Sequence, residues 1–271
     1  MIVRTVDTLR RICAHIPSSS LAILAGAFLL VGQAFAAPIN YGDFAGATVT
    51  YTQVTEDANS AGDAPPLFGP PTVSGDSLDF DPVGFSASAT GAAGVDITDG
   101  NLRFGISANA GYAVANVTLS EAGDTTLAGF GTDATFTAVA ARGVVSISAV
   151  DGVGINVISV PFSLTFSPSG GTFGLLTDGG GGPLFSADWS GSETIDVNAI
   201  LTSKGVAYNL GATKVSINLD NTLVALSEAG TFSLIAKKDF GGLSVTVNIP
   251  EPSAMILLGL ASVGLVFARR K

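Results

Sequence analysis

Charge is scarce in this chain, and so are the residue types that carry most catalysis. Only 13% of the 271 residues are charged, about half the share of an ordinary soluble domain. There is one cysteine, Cys13, one histidine, His15, and two methionines, Met1 and Met255. The residues from Ala37 to Asn248 contain none of the three. That excludes a Ser-His-Asp triad, a Cys-His dyad and a zinc site of His and Cys ligands in that segment. It also excludes a disulfide framework. No phosphate-binding loop of the G-x-x-x-x-G-K-[ST] type is present. Bases are few: the same segment has 20 acids against 6 bases, a net charge of −14. Such a surface repels nucleic acid and anionic headgroups. The chain is nevertheless 47% hydrophobic, too apolar for a disordered polyelectrolyte.

The two ends differ from the middle. Arg4, Arg10 and Arg11 precede an apolar run from Leu21 to Val31, followed by Ala34-Phe35-Ala36. Residues 1–36 read as a secretory signal, with Ala34 and Ala36 framing the cleavage site and the Sec machinery as partner. At the other end Pro250-Glu251-Pro252 stops the preceding strand, since neither proline can donate to a ladder. Residues 253–268 carry no acid or base until Arg269, Arg270 and Lys271. As a helix these sixteen residues span about 24 Å, a short transmembrane segment with a basic stop-transfer end.

Those three ordered features together resemble the PEP-CTERM sorting signal of Gram-negative bacteria, a tail also called an ice-binding protein C-terminal domain. The resemblance covers residues 249–271, with Ile249 where relatives often have Val. It implies recognition by an exosortase, a membrane-embedded cysteine transpeptidase-like enzyme. Cleavage near Pro250, Glu251 and Pro252 would replace a transient membrane anchor by surface display or secretion, typically in species that make exopolysaccharide. It says nothing of what the middle of the chain binds.

The middle, residues 37–248, shows period-two alternation broken by Gly, Asp, Asn and Ser. Strands are expected at 47–52, 101–107, 114–119, 134–139, 144–149, 155–166, 193–201, 213–219, 223–227, 232–236 and 243–248. Asp99-Gly100, Asp151-Gly152 and Asp220-Asn221 read as hairpin turns, and 59–71 and 179–182 as loops. The pattern predicts an all-β, two-sheet antiparallel sandwich, jelly-roll-like. A parallel β-helix is the alternative, but it lacks a constant repeat. Ser120-Glu121-Ala122-Gly123 recurs at Ser227-Glu228-Ala229-Gly230, read either as one favoured turn used twice or as the same corner of two related halves.

Three readings of function follow. The first is a non-enzymatic surface protein with a structural or adhesive role in an exopolysaccharide or biofilm matrix. The second is a carbohydrate- or calcium-dependent binding module. No cofactor is required, but Asp76, Asp79, Asp81, Asp96 and Asp99 offer hard oxygen ligands to calcium. They can equally cap turns and maintain solubility. The third is a glycosidase using only carboxylates, with Asp188, Glu193 and Asp196 beside Trp189.

Overall fold

A computed structural model describes residues 37–58, 63–92, 94–238 and 244–248. The expected signal helix, the transmembrane helix, Ala34, Ala36, the Pro-Glu-Pro motif and the basic end lie outside these residues. Among the described residues no helix is long and apolar enough to cross a membrane.

The described residues are mostly strand, and every pairing among them is antiparallel. One sheet contains β1 (Ile39–Ala45), β2 (Val49–Ala58), β6 (Gly94–Ala108), β13 (Ala212–Ser227) and β8 (Phe136–Val150) in that order. The far edge of β8 takes both β11 (Thr172–Gly174) and β9 (Val153–Ser163). The other sheet is built on β7 (Asn116–Ala128). β12 (Leu184–Asp196) runs along one side of it, with β10 (Thr165–Ser167) beyond. Its opposite side is shared by two strands: β14 (Phe232–Lys237) pairs 123–128 and β15 (Ser244–Asn248) pairs 116–120. Outside β14 lies β5 (Ser86–Thr90); outside β15 lie β4 (Ser77–Asp79) and then β3 (Thr72–Ser74).

Alternation explains the layering. In β13 the inward side chains Val215, Ile217, Leu219, Asn221, Leu223 and Ala225 are buried, while the alternate residues between them are not. In β7 Val117, Leu119 and Leu127 do the same. These inner faces close on one core that also takes Phe104, Ile106, Trp189 and Ile235, giving the expected antiparallel, sandwich-like arrangement. Phe68 sits edge-on between Phe85, 5.0 Å between centroids, and Phe80, 6.2 Å. It pins the 63–71 loop onto this core.

Several expectations need correction. Asp151-Gly152 is the predicted turn, with φ of 51° and 79°, joining β8 to β9. Asp99-Gly100 and Asp220-Asn221 are not turns. They lie inside β6 and β13, and Asn221 is directly opposite Gly100. A core demand overrides their turn propensity. A Cβ on Gly100 would come within 2.8 Å of the Phe85 ring, and Asn221 is buried, donating to Glu121. The strand expected over 193–201 ends at Asp196, whose carboxylate caps α1 (Val197–Ser203) by accepting from Ala199 N at 2.8 Å.

The repeated Ser-Glu-Ala-Gly is neither one turn used twice nor one corner of two halves. Residues 120–123 are mid-strand in β7, whereas 227–230 turn from β13 toward β14. In the first copy Glu121 is buried, and Gly123 lies directly opposite Trp189. A Cβ on Gly123 would meet the indole at 2.5 Å. In the second copy Glu228 binds Thr132 N and Gly230 takes φ +79°.

Candidate functional site

The predicted calcium ligands do not converge. Among the described residues no three acidic side chains gather as a cation cluster. Asp76 accepts from Thr48 N at 2.7 Å, Thr48 Oγ1 at 2.5 Å and Val49 N at 3.2 Å. It therefore ties the start of β2 to the β3–β4 hairpin. Asp79 is pushed above the usual carboxylate range by burial and then by Asp81. Asp96 accepts from Ser88 N at 2.8 Å. Asp99 belongs to a different assembly, described below.

The three carboxylates proposed for glycoside hydrolysis are also spread out. Asp188, Glu193 and Asp196 share β12. Asp188 and Glu193 are five positions apart along the strand, about 17 Å, and the odd offset places them on opposite faces. Asp196 is a helix cap. A pair working on one glycosidic bond is about 5–10 Å apart. Trp189 is a core residue at 2% exposure, edge-packed on Phe166 at 5.9 Å.

What the fold does assemble is a polar row across the outer face of the β13 sheet. Asp57 on β2 is opposite Asn101 on β6, and Asn101 is opposite Asp220 on β13. Asp220 is opposite Arg142 on β8, and Arg142 is opposite Ser163 on β9. Five adjacent strands place this row over about 19 Å at about 4.8 Å per strand. All five residues are on the side away from the buried Leu102, Leu219 and Ala141. Asn101 donates to Asn218 Oδ1 at 2.8 Å and accepts from Arg103 Nε at 2.8 Å. Arg103 also reaches Asp57 at 3.5 Å, and Arg142 reaches Asp220 at 3.6 Å. These exposed ion pairs add little stability. They do fix the orientation of the row. It borders an open groove of about 450 Å³ lined by Asn101, Arg142, Val144, Pro161, Asn218 and Asp220.

Asp99 joins this row from the same strand face. Its carboxyl is raised from 3.8 to about 6, first by burial and then by a hydrogen bond with Asp220. In the folded chain Asp99 thus holds a proton that the unfolded chain releases between about pH 4 and pH 6. Stability from this group is present below 3.8 and lost as pH rises through 6. Asp99→Asn keeps the contact without the charge. Its melting temperature, relative to the parent, is expected to climb by roughly 2–4 °C between pH 4 and pH 7, a modest value because water still reaches the site. A parallel pH profile for the two proteins would disprove the shared proton.

Sequence reasoning missed this row and a second, internal cluster. Between the sheets Lys237 Nζ forms an ion pair with Glu121 Oε2, and both side chains are wholly buried. Asn221 Nδ2 donates to the same carboxylate oxygen. The ammonium lies 5.1 Å from the Phe85 ring centroid and 5.6 Å from that of Trp189, a cation–π geometry. Burial pushes Lys237 below the usual lysine range, and Glu121 opposes that shift. Local sequence carries no signal for either cluster, because each depends on register between distant strands.

Comparison with known proteins places one segment firmly. The family described as the PEP-CTERM protein-sorting motif matches residues 248–271. The chain therefore ends in an exosortase-targeting signal, that of an exported protein with a cell-surface or extracellular destination. No curated protein matches the chain. Among solved structures, it is similar to the enzymatically active domain of bacteriophage CBA120 tailspike protein 4, at 12% identity and a TM-score of 0.19. That match covers 74% of this chain and 19% of the tailspike chain, so this chain spans about a fifth of its length. A carbohydrate-binding module specific for non-crystalline cellulose matches at 10% identity and a TM-score of 0.22, covering 55% of this chain and 78% of that one. A module in complex with β-1,4-galactotriose matches at 10% identity and a TM-score of 0.17, covering 56% and 65%. No property is transferred from likenesses of this size.

Proposed function

We propose that this protein is an exosortase substrate whose acidic, jelly-roll-like sandwich is exported by the Sec route and cut from its membrane tail. It is then displayed on, or released from, the surface of a Gram-negative cell. Its role is structural or adhesive within an exopolysaccharide or biofilm matrix, and it is not an enzyme. The observation that carries this reading is the sorting motif, which begins at Asn248, the last residue of β15. The polar row supports the adhesive part. It presents carboxylate, guanidinium and hydroxyl groups in one strip, with the exposed amide of Asn218 beside them, the complement of a polyhydroxylated chain. It needs neither calcium nor a catalytic pair.

The test is the intact mass of the mature protein from its native host, with a pull-down on that host's own polysaccharide. A mass ending near Pro250–Pro252, with residues 1–36 gone, is the expected result. A mature protein that still contains Met255 to Lys271 would make the chain a plain tail-anchored protein. Failure to bind the polysaccharide would remove the adhesive role and leave the processing intact.

A further inference from the structure

The sorting motif has almost no spacer. β15 is an interior strand: Ser244, Val245 and Thr246 pair with β4 on one side, and all of 244–248 pair with β7 on the other. Asn248 is opposite Asn116, which is also opposite Asp196, the residue that opens α1. Three strands thus end side by side where the motif begins. From Asn248 to Pro250 the chain covers two residues, at most about 7 Å.

A processing enzyme binds its substrate in extended form, on both sides of the bond it breaks. Here the residues on the N-terminal side are already committed to a sheet. Their backbone groups are paired with β7 on one side and, for 244–246, with β4 on the other. An enzyme at the membrane surface therefore meets a folded sandwich within a few residues of the motif. We infer that β15 must detach from β7 and β4 before the sorting enzyme can take the motif, so that cleavage is gated by local opening of this strand. The inference rests on the exosortase reading proposed above. Its physical content is an opening equilibrium placed ahead of proteolysis. When reclosing is faster than cutting, the rate follows the open fraction. The body itself then sets how quickly it is released.

The experiment uses the full chain in its native host, following conversion of precursor to mature protein by pulse-chase. One variant inserts eight Gly and Ser residues between Asn248 and Ile249, leaving β15 untouched and moving the motif clear of the sheet. A second, Thr246→Pro, removes a ladder donor from β15. Both are expected to mature roughly three- to tenfold faster than the parent, the proline variant by the worth of one or two ladder hydrogen bonds. The spacer variant should keep the parent's melting temperature after release. If the spacer variant matures at the parent's rate, the gating is overturned, whatever the proline variant does. If the parent retains its tail in the native host, the exosortase reading itself fails. The two failures are therefore distinct.

Discussion

Replacing Lys237 by alanine should lower the melting temperature of the body by about 6–20 °C. The ammonium is the charge partner of Glu121, and both side chains are wholly buried. Removing one member of a buried pair costs about 3–5 kcal/mol, because the remaining charge is stranded. For a body of this size each kcal/mol is worth about 2–4 °C. Glu121 would keep only Asn221 as a partner. Lys237→Met separates packing from charge, since it keeps the stem between Phe85 and Trp189 and should still destabilise. The double variant Glu121→Leu with Lys237→Met removes both charges and should recover most of the loss. The cluster is not fully satisfied in any case, since Glu121 Oε1, Asn221 Oδ1 and Trp189 Nε1 are buried without a hydrogen-bond partner. A thermal melt of the four proteins checks this. Single variants melting within about 1 °C of the parent would show that the pair carries no stability.

The second large effect is expected at Glu56→Ala. Glu56 is fully buried on β2. It accepts from the backbone N–H groups of Leu67, of Phe68 at 3.2 Å and of Gly69 at 3.0 Å, and from Tyr41 Oη at 2.7 Å. Burial, and then the bond to Glu56, holds the Tyr41 phenol above its usual range. Alanine would orphan these donors around Phe68, itself wholly buried. Each buried unsatisfied group costs about 1–3 kcal/mol. Partial relaxation of the loop leaves a net loss of about 3–5 kcal/mol. The damage should be local first: the 63–71 segment loosens, and Phe68 withdraws from Phe80 and Phe85. Limited proteolysis should then cut within 63–71 at protease levels that spare the parent. Glu56→Gln, which offers one acceptor where two oxygens now serve, should be intermediate. An unaltered cleavage pattern in the alanine variant would contradict this account.

The elements legible in the sequence were those with a local cause. Alternation located most strands, and Asp151-Gly152 announced its turn because both residues tolerate positive φ. The misread places have non-local causes. Asp99-Gly100 and Asp220-Asn221 look like turns, but each is stabilised by what lies across the sheet or the core. Gly100 makes room for Phe85, and Asn221 serves Glu121. Glu56 follows Thr55 and precedes Asp57, a triplet that reads as solvent-facing, and only the loop folding over it makes it internal. The outer polar row is the extreme case. Its members, at 57, 101, 142, 163 and 220, become neighbours only when the registers of five strands are known.

The position of β15 also bears on the order in which the body can form. Sheet partners β4 and β5 come from the first third of the chain, while β14 and β15, which fill the gap between them and β7, come at the end. A chain delivered N-terminus first cannot close this sheet until residue 248 has arrived. β5 must wait for β14, and the β3–β4 hairpin for β15, because the long-range pairings that reward their ordering do not yet exist. Native closure is deferred to the moment when the last translocated strand, the one joined to the sorting motif, inserts beside β7.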